Sequence, residues 1–328
     1  MSSNILDRQP PAVVGRDRRI RSGLHPVARP IVLTILNLAI HALLLFWASG
    51  FIGNELGAVS KASDGTTTTL VGHLAFKIAV IGFGWWTSLD YVEVAAVTAL
   101  ANTPFYYLLT TYYAVSPSTV ATTLVIELFA IAFPTYLLQT HSAAHDRRIK
   151  IRNRYLLESF QVQHSTNLVS IGIYTFLIWA GLTTGKLNEW IIVWFTNVPT
   201  LETAHKETVV SIAVKVFAAG LATKTFLVNA SIAAETDPAT PIPVEAFNPA
   251  TADLGSTLRH NFWFYKKRTR SFIRNTVILC IITFVNTVQR STTLKESSPS
   301  GAAKYGGLWV GAIVVNAIVL ACTLGDEF

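Results

Sequence analysis

The stretch that decides the fold is His141–Leu157, which reads HSAAHDRRIKIRNRYLL and lies near the middle of the 328-residue chain. It holds five basic residues and a single acidic one, Asp146. Long apolar runs lie on both sides of it. A strongly basic segment between two sets of apolar runs is typical of a loop on the cytoplasmic face of a membrane. We therefore interpret residues 141–166 as a basic cytoplasmic joint between two halves of an integral membrane protein.

The composition and the placement of charge agree with a membrane protein. Hydrophobic residues make up 51% of the chain and charged residues only 14%, against roughly 25% charged residues in soluble domains. The formal net charge is +7, but 17 of the 26 Lys and Arg residues fall in three clusters that each flank an apolar run. Topology-setting charges occupy such positions. We therefore expect contact with membrane lipid and no nucleic-acid partner.

The apolar runs predict an all-α, multi-pass transmembrane helix bundle of about eight spans, because several approach the ~20 residues that cross a bilayer core. The first four spans lie within 30–140 and the other four within 167–328. Residues 1–29 form a basic cytoplasmic tail, and a long cytoplasmic loop lies near 235–274. Eight spans place the N- and C-termini on the cytoplasmic side, together with all three basic clusters.

The two halves share short sequence similarities. LVGHLAFKIAVIG in the second span aligns with TVVSIAVKVFAAG in the sixth. The matched pairs are Lys77 and Lys215, Gly82 and Gly220, and Asn102 and Asn286. An even number of spans per half would relate the halves as parallel repeats about an axis along the membrane normal. We therefore hypothesise two parallel four-helix repeats.

Three acidic residues are the candidates for chemistry. Glu127 lies in the middle of an apolar run, where a charged side chain is costly and marks a functional site or a structural contact between helices. Asp90 and Glu93 are three residues apart and therefore share one helical face at the membrane boundary. Such a pair could deliver a proton or hold a cation, and the alternative is a solvated helix start.

Other polar residues allow several interpretations. Lys77 either extends to the interface or pairs with Glu127, and we interpret His141 and His145 as interfacial. Both cysteines lie within apolar runs and predict neither a disulfide nor a zinc site. The chain has no P-loop, no G-x-G-x-x-G after a strand and no G-x-S-x-G motif. We therefore expect no cofactor and no metal site.

The region Phe247–Arg274, FNPATADLGSTLRHNFWFYKKRTRSFIR, and the motif RNRYLLESFQVQ from Arg152 resemble a group of fungal multi-pass proteins encoded in indole-diterpene gene clusters, the paxilline A-type membrane proteins. The length, the number of spans and the long polar loop before the seventh span also fit this group. The resemblance implies a role in making a fungal terpenoid or indole-diterpene mycotoxin, as a terpene cyclase in the endoplasmic reticulum membrane.

Such an enzyme would close an epoxidised prenyl chain inside an apolar cavity. It needs an acid to protonate the epoxide, for which Glu127, Asp90 and Glu93 are candidates. Aromatic faces would stabilise the passing carbocation. The candidate substrate-binding residues are Trp85, Trp86, Tyr106, Tyr107 and Asn102. The expected partner is therefore an apolar prenylated small molecule.

Two other classes of function stay open. Parallel repeats and charges within spans suit a small-solute transporter or exporter equally well. A non-catalytic scaffold would instead use the basic segments to hold other enzymes of a biosynthetic pathway at the membrane.

Overall fold

The structure is a computed structural model that describes residues 25, 27–61, 67–195, 198–234, 253–255, 257, 265–295 and 297–323. Within these residues it is helical, and its only extended pairings are two isolated bridges, Ser60 with Leu294 and Phe195 with Ser297. Most of the predicted tail 1–29 and much of the predicted loop 235–274 fall outside the described residues.

Four helices form the first half of the bundle: α1 (Ala28–Val59), α2 (Thr67–Trp86), α3 (Tyr91–Tyr112) and α4 (Pro117–Leu138). The second half contains the short α5 (Arg154–Glu158), α6 (Phe160–Thr183), α7 (Lys186–Trp194), α8 (Glu202–Lys206) and α9 (Val209–Lys224). A π-helical turn (Thr225–Asn229) joins α9 to α10 (Ala230–Ala233), and α11 (Lys267–Ser291) and α12 (Pro299–Thr323) follow.

Six helices in the described residues are long and apolar enough to cross a membrane: Ala28–Val59, Pro117–Leu138, Phe160–Thr183, Val209–Ala233, Lys267–Ser291 and Pro299–Thr323. The protein is therefore an all-helical, multi-pass membrane protein. The expected count of about eight also included α2 and α3. The apolar part of α2 is shorter, Val71–Trp86, and α3 carries Asn, Thr and Tyr side chains that lower its hydropathy.

Helix α3 lies at the centre of the bundle and packs against α4, α9 and α11. It is buried along most of its length although it carries many polar side chains. Several of these bond back to the preceding turn of their own helix. The hydroxyl of Thr98 donates to the Val94 carbonyl at 2.8 Å and that of Thr103 to the Ala99 carbonyl at 2.8 Å. Because these two hydroxyls have backbone partners, placing them inside the bundle carries little penalty.

Helix boundaries differ from the expectation in the second half. Helix α6 begins at Phe160, before the predicted boundary at 167, because the Ser159 side chain accepts a hydrogen bond from the backbone N–H of Val162 and caps the helix start. Helix α11 begins at Lys267, within the third basic cluster, and buries Arg268. Charged residues that we assigned to loops therefore lie in the first turns of helices.

Two spanning helices approach closely where Gly220 of α9 meets α6. A Cβ atom at this position would lie 2.4 Å from Cγ1 of Ile171 and 2.9 Å from its Cα. Only glycine allows the two backbones to come this close, which is a common way for helices to associate in lipid.

Candidate functional site

A carboxylate site forms where α3 begins. Asp90 and Glu93 make a reciprocal capping box: Asp90 Oδ1 accepts from the backbone N–H of Glu93 at 2.9 Å, and Glu93 Oε2 accepts from the backbone N–H of Asp90 at 3.2 Å. The sequence pattern Asp-x-x-Glu before an apolar run produces this arrangement. Asp90 is 1% exposed and Glu93 4% exposed. A solvated helix start is therefore excluded for this pair.

The basic segment 141–157 closes over this site. Nδ1 of His145 lies 2.6 Å from Oδ2 of Asp90, and the backbone N–H of Ser142 donates to the same oxygen at 3.2 Å. Segment 141–157 is thus attached to the first half of the bundle by its contacts with Asp90. The structure adds to the interfacial interpretation of His145 that its side chain is half-buried and contacts a buried carboxylate.

The three groups titrate away from their ordinary ranges. Burial raises the pKa of Asp90, but the hydrogen bond and charge of His145 outweigh burial and leave that pKa lowered. Burial lowers the pKa of His145, but its hydrogen bond to Asp90 and the two nearby carboxylates outweigh burial and leave that pKa raised. Burial and the negative charge of Asp90 raise the pKa of Glu93 to about 7. Two neighbouring carboxyl groups with opposite shifts are the usual signature of an acid–base site.

The same side chains present one nitrogen and two oxygen ligands within 4.8 Å of one another. A divalent cation such as Zn²⁺ or Mn²⁺ accepts such a donor set. However, the capping hydrogen bonds and the direct contact with His145 already satisfy the Asp90 carboxylate. We therefore describe the site as an acid–base cluster.

A second polar cluster surrounds Glu127, which is 8% exposed in the middle of α4. Arg290 Nη2 lies 2.5 Å from Glu127 Oε1, Lys77 Nζ lies 3.4 Å from Oε2, and His41 Nε2 lies 3.2 Å from Oε1. Four helices (α1, α2, α4 and α11) therefore meet at one carboxylate. Of the two alternatives for Lys77, the pairing with Glu127 is present. A carboxylate held by two cations is stabilised as the anion. These contacts therefore favour a structural role for Glu127 over a role as proton donor.

The candidate substrate-binding residues lie in four different places. Trp85 is partly buried against an apolar cluster near the carboxylate site, whereas Trp86 is 82% exposed. Asn102 lies between α3 and α11, where its Oδ1 accepts from Asn286 at 3.0 Å. The Arg290 guanidinium lies 6.0 Å from the ring centroid of Tyr106. The remaining residue, Tyr107, lines a cavity between α3, α6, α7 and α12.

Sequence reasoning offered Lys77 as a partner of Glu127 but missed Arg290 and His145. His145 lies in the basic segment that we assigned to topology, whereas Arg290 lies outside the three basic clusters. They reach Glu127 and Asp90 from 163 and 55 residues away in the chain. The one sequence signal for His145 was a second histidine, His141, four residues before it.

A comparison with models of protein families, with curated proteins and with solved structures found no match to this chain.

Proposed function

We propose that this protein is a membrane-bound enzyme of fungal terpenoid or indole-diterpene mycotoxin biosynthesis, and that it is an acid-initiated terpene cyclase. The observation that carries the proposal is the pair Asp90 and Glu93, two buried carboxyl groups whose environments separate their pKa values. A general acid works best when its pKa lies near the operating pH, and the pKa of Glu93 is about 7. The resemblance of Phe247–Arg274 to indole-diterpene cluster proteins supplies the substrate class.

In this proposal Glu93 donates its proton to the oxygen of an epoxidised prenyl chain. The carbon–oxygen bond breaks, and a double bond of the same chain attacks the resulting carbocation. The final carbocation loses a proton, and Glu93 is protonated again, so the reaction is an isomerisation that needs no co-reactant. The backbone N–H of Asp90 holds the Glu93 side chain in place. The negative charge of Asp90 favours the protonated form of Glu93, whereas the charge of His145 opposes it. Trp85 packs against an apolar cluster that includes Val94, the residue after Glu93, and in this proposal it contacts the apolar chain of the substrate.

The proposal includes eight spans, with α2 and the part of α3 beyond its first turn as the additional pair. Both termini and the basic segment 141–157 then face the cytoplasm, which agrees with the positive-inside rule. In this proposal the protein lies in the endoplasmic reticulum membrane. The hydrogen bond between Asn102 and Asn286 supports the hypothesis of two parallel repeats, because matched residues meet each other at a two-fold axis.

A small-solute transporter is the second candidate. The cluster of Glu127, Arg290, Lys77 and His41 favours it, because ionisable groups that face the interior of a membrane bundle are typical of ion and proton pathways.

The experiment that separates these functions uses microsomes that contain this protein and no other pathway enzyme. They are supplied with an epoxidised prenyl-indole, and the extract is analysed for an isomer of the same mass. A cyclised isomer that is absent from empty microsomes supports the cyclase. If no isomer forms, the enzyme proposal is wrong, and uptake of labelled solute into proteoliposomes tests the transporter.

A further inference from the structure

A cavity of about 530 Å³ lies where α3 of the first half meets α6, α7 and α12 of the second half. Its volume is within the range of small-molecule binding sites, roughly 300–1,000 Å³. Along α3 it begins roughly 21 Å beyond Glu93, at 1.5 Å per residue. A ligand of this cavity therefore occupies a different site from the proposed cyclisation.

Aromatic rings form the floor of the cavity. The ring centroid of Trp309 lies 6.1 Å from that of Tyr107 and 6.1 Å from that of Tyr174. The Tyr174 hydroxyl pairs with Thr223 at 2.8 Å, and the Tyr305 hydroxyl donates to a backbone carbonyl at 2.7 Å. Because these two hydroxyls already have partners, the rings offer mainly apolar surface to a ligand.

The other walls are mostly aliphatic. They include Leu177, Ile178, Leu187, Leu308, Ala312 and Val315, together with the ring of Trp190. Lys186, at the start of α7, is the charged member of the lining. Its side chain is exposed, so its ammonium group can meet the head of a ligand whose chain lies among the rings.

We propose that this cavity binds a single-chain amphiphile with an anionic head, a carboxylate or a phosphate. The chain packs on Tyr107, Tyr174 and Trp309, and the head pairs with Lys186. Charge complementarity at one end and an aromatic floor at the other determine both the class of ligand and its orientation. The proposal is independent of the cyclase, because it involves none of the residues of the carboxylate site.

Gly311 allows a direct test because it lines the cavity and an added Cβ would meet no atom within 4 Å. Gly311→Phe therefore fills the cavity without a clash at the backbone. Gly307→Phe is the matched control, since Gly307 lies in the same helix, also has open space around it and does not line the cavity.

The measurement is quenching of tryptophan fluorescence in the full-length, detergent-solubilised protein by dibromostearate, with unbrominated stearate as competitor. Dibrominated lysophosphatidic acid, which has one chain and a phosphate head, is used in a parallel titration. We expect saturable, competable quenching in the wild type and in Gly307→Phe, and its loss in Gly311→Phe. Quenching by dibromostearate identifies a carboxylate head, and quenching by the lysophosphatidic acid alone identifies a phosphate head.

Lys186→Gln tests the anionic head. We expect the dissociation constant for dibromostearate to rise about five-fold, as for the loss of one partly exposed ion pair. Equal quenching in Gly311→Phe and wild type would overturn the binding site. A brominated fatty amine that binds as tightly as dibromostearate would overturn the assignment of an anionic head.

Discussion

At the residue scale, Glu127 lies between Arg290 and Lys77 inside the bundle, where water does not screen their charges. Glu127→Gln leaves the Arg290 guanidinium without its carboxylate. Breaking such a pair from one side is strongly destabilising, and we expect a loss of about 3 kcal/mol in the free energy of unfolding. Thermal unfolding in detergent measures it.

The control for this variant is Glu158→Gln, which removes an exposed i,i+4 ion pair with Arg154. An exposed pair contributes less than about 1 kcal/mol, so this variant unfolds close to the wild-type temperature. If Glu127→Gln were as stable as Glu158→Gln, the structural role of Glu127 would be wrong.

The ion pair of Asp90 and His145 predicts a stability that depends on pH. Folding raises the pKa of His145. Its contribution to the free energy of unfolding is therefore complete below the unfolded pKa of about 6.5, and it disappears as the pH rises through the folded pKa. The pKa of Asp90 is lowered, so its contribution is present above about 3.9 and disappears as the pH falls through the folded value. The pair therefore stabilises most between about pH 4 and 6.5.

Comparison of the wild type with His145→Gln at a series of pH values isolates this effect. We expect the difference in unfolding temperature to be largest near pH 6 and to shrink in alkaline buffer. A difference that stays constant from acidic to alkaline pH would show that the His145 charge does not contribute.

The sequence predicted which acids are unusual but, apart from Lys77 as an alternative partner of Glu127, did not predict what they contact. Glu127 stood out because a carboxylate in an apolar run is rare. Its partner Arg290 comes from another helix 163 residues away, so the contact follows from helix packing and from no local pattern. The spacing of Asp90 and Glu93 identified them as a pair. Their contact with His145 was not predictable in this way, because it depends on the path of the loop that carries His145.

At the scale of helices, α6 and α9 meet at Gly220, where a side chain would displace Ile171. Gly220→Ala should destabilise the protein by about 1–3 kcal/mol, since overpacking forces the two backbones apart. Unfolding in detergent measures this loss.

The control is Gly82→Ala in α2, the predicted repeat counterpart, where an added Cβ meets no atom within 4 Å. Alanine favours helix over glycine, so this variant keeps or slightly increases its stability. A tolerated Gly220→Ala would show that the two helices are not in such close contact.

The ends of the helices differ from the predicted span boundaries, and six of the expected eight spans are long and apolar enough to cross a membrane in the described residues. Apolar runs locate the centre of each span, because hydropathy decides what lies in lipid. The ends depend on capping side chains such as Ser159 and on basic first turns such as that of α11, which hydropathy ignores. The polar helix α3 shows the same limit, since its Thr hydroxyls bond within the helix and permit burial without an apolar composition.

At the scale of the whole molecule, the proposed eight spans place the turns on either side of α3 on opposite faces of the membrane. Thr87→Cys and Ser118→Cys, each at an exposed position, are made in a chain with Cys280 and Cys322 replaced by serine. An impermeant maleimide applied to sealed microsomes should label Thr87→Cys and should reach Ser118→Cys only after permeabilisation. Labelling of both positions from the same side would mean that α3 does not cross the membrane.

The central claim is that Glu93 is the acid of a membrane-bound cyclase. Its most direct test is the rate of isomerisation of an epoxidised prenyl-indole in microsomes carrying wild type or Glu93→Gln, measured from pH 5 to 9. We expect the wild-type rate to fall as the pH rises through about 7, and Glu93→Gln to lose at least about 100-fold while it stays folded in the membrane. An unchanged rate in Glu93→Gln would contradict the claim.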